Sequence, residues 1–175
     1  RRRVARGRRR RARGRRRRAP QGDLRVHVVR CCDDENVIHV SGSVDPLRDV
    51  ETIELELMLA DLAQAEKRVE RARKEAKSGK ASASEVSALE KIIEALDAGK
   101  PARKVELDAE EEKAIRNLGL LSRKPVLYAA NVADGDLADG NAFVEQLRGR
   151  AAADAADVVL VSAQARARAP RALAF

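Results

Sequence analysis

Two short polar segments follow apolar runs and carry side chains suited to holding a ligand. Asn131-Val132-Ala133-Asp134 comes directly after PVLYAA, and Ser162-Ala163-Gln164 closes the run DVVLV. An Asn amide both donates and accepts, so it can pair with a purine edge. An Asp at the fourth position can accept from the ring N–H and amino group of guanine, which adenine does not offer in that arrangement. The small Ser-Ala turn lets backbone amides approach a flat ring. Taken alone, an Asn at a strand end is more often a turn residue; the order and strand context of the pair bring the ligand reading level with it. His39, in NVIHV, falls in a polar loop and by residue type alone reads as a solvated loop histidine. His27 lies inside an apolar run and reads as structural. Cys31 and Cys32 are adjacent, which offers no CxxC spacing for a metal or a redox pair, and they read as free thiols.

These residues need elements to place them. Leu24–Cys31 (LRVHVVRC) is short and Val-rich, the signature of a strand. After a polar loop ending at Pro46, a helical period begins near Asp49. Leu55, Met58, Leu62, Ala65, Val69, Ala72 and Ala76 recur at spacings of three and four, which predicts one seam of a long helix ended by Ser78-Gly79. A second helix carries Val86, Leu89, Ile93 and Leu96 and stops before Gly99-Lys100-Pro101. The connection of about five residues makes the pair an antiparallel coiled-coil hairpin spanning 49–98. Asp108 with Glu111 predicts a capping box opening a short helix that Gly119 closes. A buried strand over 125–131, a helix from about Asn141 to Ala153 and a strand over 157–163 complete an α/β rhythm. The fold class is therefore α/β, a parallel sheet interrupted by a helical hairpin, with ligands expected at the carboxyl ends of the strands.

The charge is unevenly distributed. The chain of 175 residues has a net charge of +8, yet Arg1–Arg18 hold thirteen arginines and no acid, so the body is mildly acidic. Residues 1–21 and 165–175 are low in complexity and are expected to be disordered. The Arg-rich end reads as a compositional artefact of a GC-rich gene, with a basic arm for non-specific RNA contact as the alternative. A transit peptide fits poorly, since Ser is absent from it. No run of about 18 apolar residues exists to span a membrane.

Longer segments carry a family resemblance. VHVVRC, NVIHVSGSVDP, ETIELELMLADL, GKPAR, KPVLYAANV and the strand ending in VSA resemble, in order, the YchF branch of the Obg-like ATPases, over roughly residues 22–164. The resemblance implies a P-loop nucleotidase domain with an inserted coiled coil, followed by a TGS domain, in a cytoplasmic, ribosome-associated protein that hydrolyses ATP and in some members GTP. It implies that Asn131, Val132, Asp134, Ser162 and Ala163 form the base-binding loops, an altered NKxD with an apolar second residue. That apolar residue is linked to ATP use, whereas Asp134, where many relatives carry Glu, leaves ATP against GTP open. It also implies that His39 assists hydrolysis. No G-x-x-x-x-G-K-[ST] occurs among the 175 residues; Ser78-Gly79-Lys80-Ala81 lacks the upstream Gly and the final hydroxyl. The phosphate loop and the Mg²⁺ ligands are therefore expected upstream of residue 22, and the chain reads as the central part of such an enzyme, inactive alone. The competing reading is a non-catalytic module whose coiled-coil hairpin docks a partner while the Arg arm grips RNA.

Overall fold

The computed structural model describes residues 24–33, 43–78 and 82–163. His39, Gln164 and both Arg-containing ends lie outside them. Three strands, β1 (Arg25–Arg30), β2 (Val126–Asn131) and β3 (Asp157–Val161), form one parallel sheet in the order β1-β2-β3. Each strand lies within two residues of its sequence-predicted bounds. Parallel neighbours need crossover connections. The one between β2 and β3 is α4 (Ala142–Ala153), capped by Asn141. The one between β1 and β2 contains α1 (Pro46–Lys77), α2 (Ala83–Asp97) and α3 (Ala109–Ile115).

Helix α1 starts three residues before the predicted position, because Asp45 accepts the Arg48 N–H and Pro46 occupies the first turn, where its missing N–H costs nothing. Its inward stripe is rotated by one residue from the predicted seam over the first half. Met58, Ala65, Val69 and Ala72 are buried as expected, but Leu55 is 52% exposed, while Glu54 and Asp61 point inward. Hydrophobicity misplaces the stripe here because both acids have buried partners. Asp61 accepts from the Leu121 and Ser122 backbone N–H groups at 2.8 and 2.6 Å and from the Ser122 hydroxyl at 2.6 Å. Glu54 accepts from arginines of three other segments.

Helices α1 and α2 pack against each other, and Leu89, Ile92 and Leu96 of α2 face the seam. Ile92, rather than Ile93, takes the innermost place. A third element closes this core: Ile115 of α3, together with Leu120 and Ala102, joins the same cluster, so the hairpin does not seal itself with its own two arms. Asp108 and Glu111 form the predicted capping box. Glu111 also accepts from Lys91 at 2.7 and 2.8 Å and from the Ser87 hydroxyl at 2.7 Å, which pins α3 to α2. Those bonds, Lys91 foremost, then Ser87 and the Asp108 backbone, hold its carboxyl at about 2.

The second core lies between the sheet and α1 and α4. Val29, Tyr128 and Ala130 meet Val50, Val144 and Leu147. Period-2 alternation places Leu24, Val26, Val28, Val159 and Val161 on the opposite face, and all five are exposed.

Candidate functional site

The register aligns Arg30, Asn131 and Val161 at the carboxyl edge of the sheet. The ladder continues one step beyond the strands. Cys31 donates its N–H to the Asn131 carbonyl at 2.8 Å, and Val132 donates to Val161 at 2.9 Å. The chain therefore leaves β2 already held on both sides. Val132 is 1% exposed and packs in the sheet core, so it contributes to the edge through its backbone. A 3-10 turn, Asp134–Asp136, follows.

The loops after β2 and β3 are joined by two side-chain bonds. Asn131 Oδ1 accepts the Ala163 N–H at 3.1 Å, and the Ser162 hydroxyl donates to Asp134 Oδ1 at 2.5 Å. Asn131, Asp134, Ser162 and Ala163 thus form one constellation with Val132 beneath it. The detail departs from what residue types alone imply. The amide oxygen of Asn131 and the Ala163 N–H serve each other, which leaves Asn131 Nδ2 as the outward donor. Among the described residues, Nδ2 has no hydrogen-bond partner. A donor fixed at a strand end can approach an acceptor on a heterocycle.

One residue of this edge is not singled out as functional by sequence reasoning. Asn141, recognisable only as a helix start, donates Nδ2 to the Cys31 carbonyl at 2.8 Å and to Asp136 Oδ2 at 2.7 Å. The local signal is Gly140-Asn141 before an apolar run; the tertiary bonds leave no local signal. Cys31 and Cys32 are both free, and Cys31 is fully buried. Burial, with a smaller contribution from Cys32, pushes the Cys31 thiol up to about 11, so it is no nucleophile at neutral pH. His27 stands 5.8 Å from the Tyr128 ring, and burial, then the Arg25 charge, lowers its pKa.

The amino end of the sheet carries a dense ionic cluster instead. Glu54 accepts from Arg25 at 3.3 Å, Arg103 at 2.5 Å and Arg150 at 2.9 Å; Asp154 accepts from Arg150 at 2.8 Å and from the Tyr128 hydroxyl at 3.0 Å. Arg103 also lies 3.2 Å from Asp154. Burial alone would raise the Asp154 pKa, but the bonds from Arg150 and Tyr128 and the Arg150 and Arg103 charges outweigh it and hold the group at about 2. The cluster joins β1, α1, α4 and the Ala102–Lys104 turn, a joint between hairpin and sheet.

Among the described residues, no group of three or more His, Cys, Asp or Glu side chains is placed to hold a metal ion. No described helix is long and apolar enough to cross a membrane.

No family model matches the chain. It is 46% identical over 147 residues to the ribosome-binding ATPase YchF of Bacillus subtilis, covering 82% of this chain and 40% of that protein. To the ribosome-binding ATPase YchF of Haemophilus influenzae it is 42% identical over 138 residues, 78% of this chain and 38% of that one. Among solved structures it matches the Schizosaccharomyces pombe YchF GTPase with a TM-score of 0.67 at 31% identity, covering 80% of this chain and 40% of its counterpart. The chain spans about two fifths of the length of the curated relatives it matches. Identity over most of its length and the match to a solved structure agree: the chain belongs to the YchF, or Obg-like ATPase, family.

Proposed function

We propose that this chain supplies the base-binding edge and the helical insertion of a YchF-type nucleotidase that hydrolyses ATP or GTP on the ribosome in the cytoplasm. In this reading Asn131, Val132, Asp134, Ser162 and Ala163 form the base-side pocket, and the hairpin is the family's coiled coil. The observation that carries it is the pair of bonds, Asn131 to Ala163 and Asp134 to Ser162, which join two loops at the carboxyl edge and leave the Asn131 amide donor outward. Parallel α/β sheets bind ligands at that edge. The whole protein would need Mg²⁺ to neutralise phosphate charge, with its ligands expected upstream of residue 22. The thirteen arginines of the N-terminal segment support non-specific contact with RNA, testable as binding that collapses with added salt.

The test is a titration of the full chain with adenosine and guanosine, which lack phosphates and are not drawn to the arginines. Amide signals of 131–136 and 162–163 are expected to shift. Asn131→Ala should weaken binding by about 1–3 kcal/mol through the purine acceptor left unpaired. Titrations unaffected by Asn131→Ala would overturn the reading. The 175 residues contain no phosphate loop, so the chain alone is expected to release no phosphate from ATP. For His39 the test is a chimera in which residues 22–164 replace the matching part of Bacillus subtilis YchF. His39→Ala should lower turnover roughly 100-fold, the range for loss of a positioned acid–base group, with ATP affinity nearly unchanged. An unchanged rate would return His39 to the role of a solvated loop residue.

A further inference from the structure

We propose that Asn141 is a positioning residue for the base-binding edge: it pins the loop 132–140 to the end of β1, and nucleobase affinity depends on that pin. This rests on the base-binding reading given above. An Asn side chain offers one amide oxygen and two N–H donors. Capping α4 takes only the oxygen, which accepts the Val144 N–H at 3.2 Å. Ser, Thr or Asp would cap as well. The two donors are surplus to capping, and both are engaged, one on the Cys31 carbonyl at 2.8 Å and one on Asp136 Oδ2 at 2.7 Å.

The partners close a loop of contacts. Cys31 is the residue whose N–H holds the Asn131 carbonyl, and Asp136 ends the 3-10 turn that begins at Asp134. Gly140, at φ +80°, donates its N–H to the Asp136 carbonyl at 2.8 Å and turns the chain so that Asn141 can reach back. One side chain therefore fixes where the loop leaves β2 and where it returns to α4. Because Asp134–Asp136 is a single tight turn, holding Asp136 also sets the height of Asp134 opposite Ser162.

The variants separate capping from pinning. Asn141→Ser keeps an oxygen for the cap and removes both donors. Asn141→Asp keeps the cap and faces a second carboxylate with Asp136. Adding Asp136→Asn to Asn141→Asp restores a donor between the two positions with its direction reversed. With the full chain at a temperature where every variant is folded, Asn141→Ser should bind adenosine and guanosine roughly tenfold more weakly. Asn141→Asp should bind more weakly still, and the double variant should recover part of the loss. A residue that only caps would leave all three at wild-type affinity, and that result would overturn the proposal. If wild type and Asn131→Ala both fail to bind nucleosides, the base-binding reading has failed. The pin is then judged by amide exchange of 132–140: faster exchange in Asn141→Ser supports it, and unchanged rates overturn it.

Discussion

Asp154 sits at the centre of the ionic cluster that joins the hairpin to the sheet. Its side chain is 2% exposed and sits among Arg150, Arg103 and Tyr128. Its pKa is held at about 2 against an ordinary 3.8. A depressed carboxylate stabilises the fold above its unfolded pKa and loses that contribution as pH falls through the folded one. Stability should thus be level above about pH 5 and fall by about 2 kcal/mol between pH 4 and pH 2 through this group. Denaturant unfolding as a function of pH measures it. Asp154→Asn should flatten that part of the profile and lower stability at pH 7; an unchanged acid limb would show that the cluster does not set it. The same ionic contacts push the Tyr128 hydroxyl, already raised by burial, to about 12, so Tyr128 serves as a neutral donor throughout.

The turn from β2 into α4 depends on backbone shape. Gly140 lies at φ +80°, and a Cβ there would meet Val144 Cγ1 at 3.3 Å. Left-handed backbone costs an L-residue about 1–2 kcal/mol, and the contact with a buried Val adds to it. Gly140→Ala should lower stability by about 2 kcal/mol in urea melts, whereas Gly135→Ala, with open space around it, should change little. Equal effects would show that the turn tolerates a side chain. The hairpin depends on burial: Leu89 and Ile92 are fully buried between α1, α2 and α3. Ile92→Ala should cost about 2–5 kcal/mol, and Ile93→Ala, on the flank, distinctly less. The same pair of variants tests whether Ile92, rather than Ile93, takes the innermost place on α2.

Both faces of a parallel sheet are ordinarily covered. Here α1 and α4 cover one, while Val26, Val28, Val159 and Val161 are exposed on the other. Among the described residues, strands β1 and β3 each pair on one side only. A bare apolar face with open edges favours self-association. Val28→Lys, 64% exposed in the wild type, should raise the soluble concentration of the chain and change its unfolding free energy by no more than about 0.5 kcal/mol. Light scattering against concentration checks the first and denaturant melts the second. Amide exchange should be slowest in α1, α2 and the central strand β2 and faster in β1 and β3.

Local chemistry carries most of the elements. Asp108 with Glu111, Asn141 before an apolar run, Pro46 at a first turn and the Val-rich runs fix starts and stops through bonds made within four residues, so they are legible along the chain. Composition separates the arginine-rich end from the acidic body in the same way. The family is legible too, because long ordered segments preserve it. The buried acids are not: Glu54 and Asp61 look like solvent-facing residues until Arg103, Arg150 and Ser122 arrive from 49, 96 and 61 residues away. The candidate site divides along the same line. Asn131 and Asp134 announce themselves by type and place, but hydrogen-bonding capacity says nothing about who uses it. Only the folded chain assigns the Asn131 oxygen to Ala163, one Asp134 oxygen to Ser162 and both Asn141 donors to the loop, because those partners meet when three strands align in register.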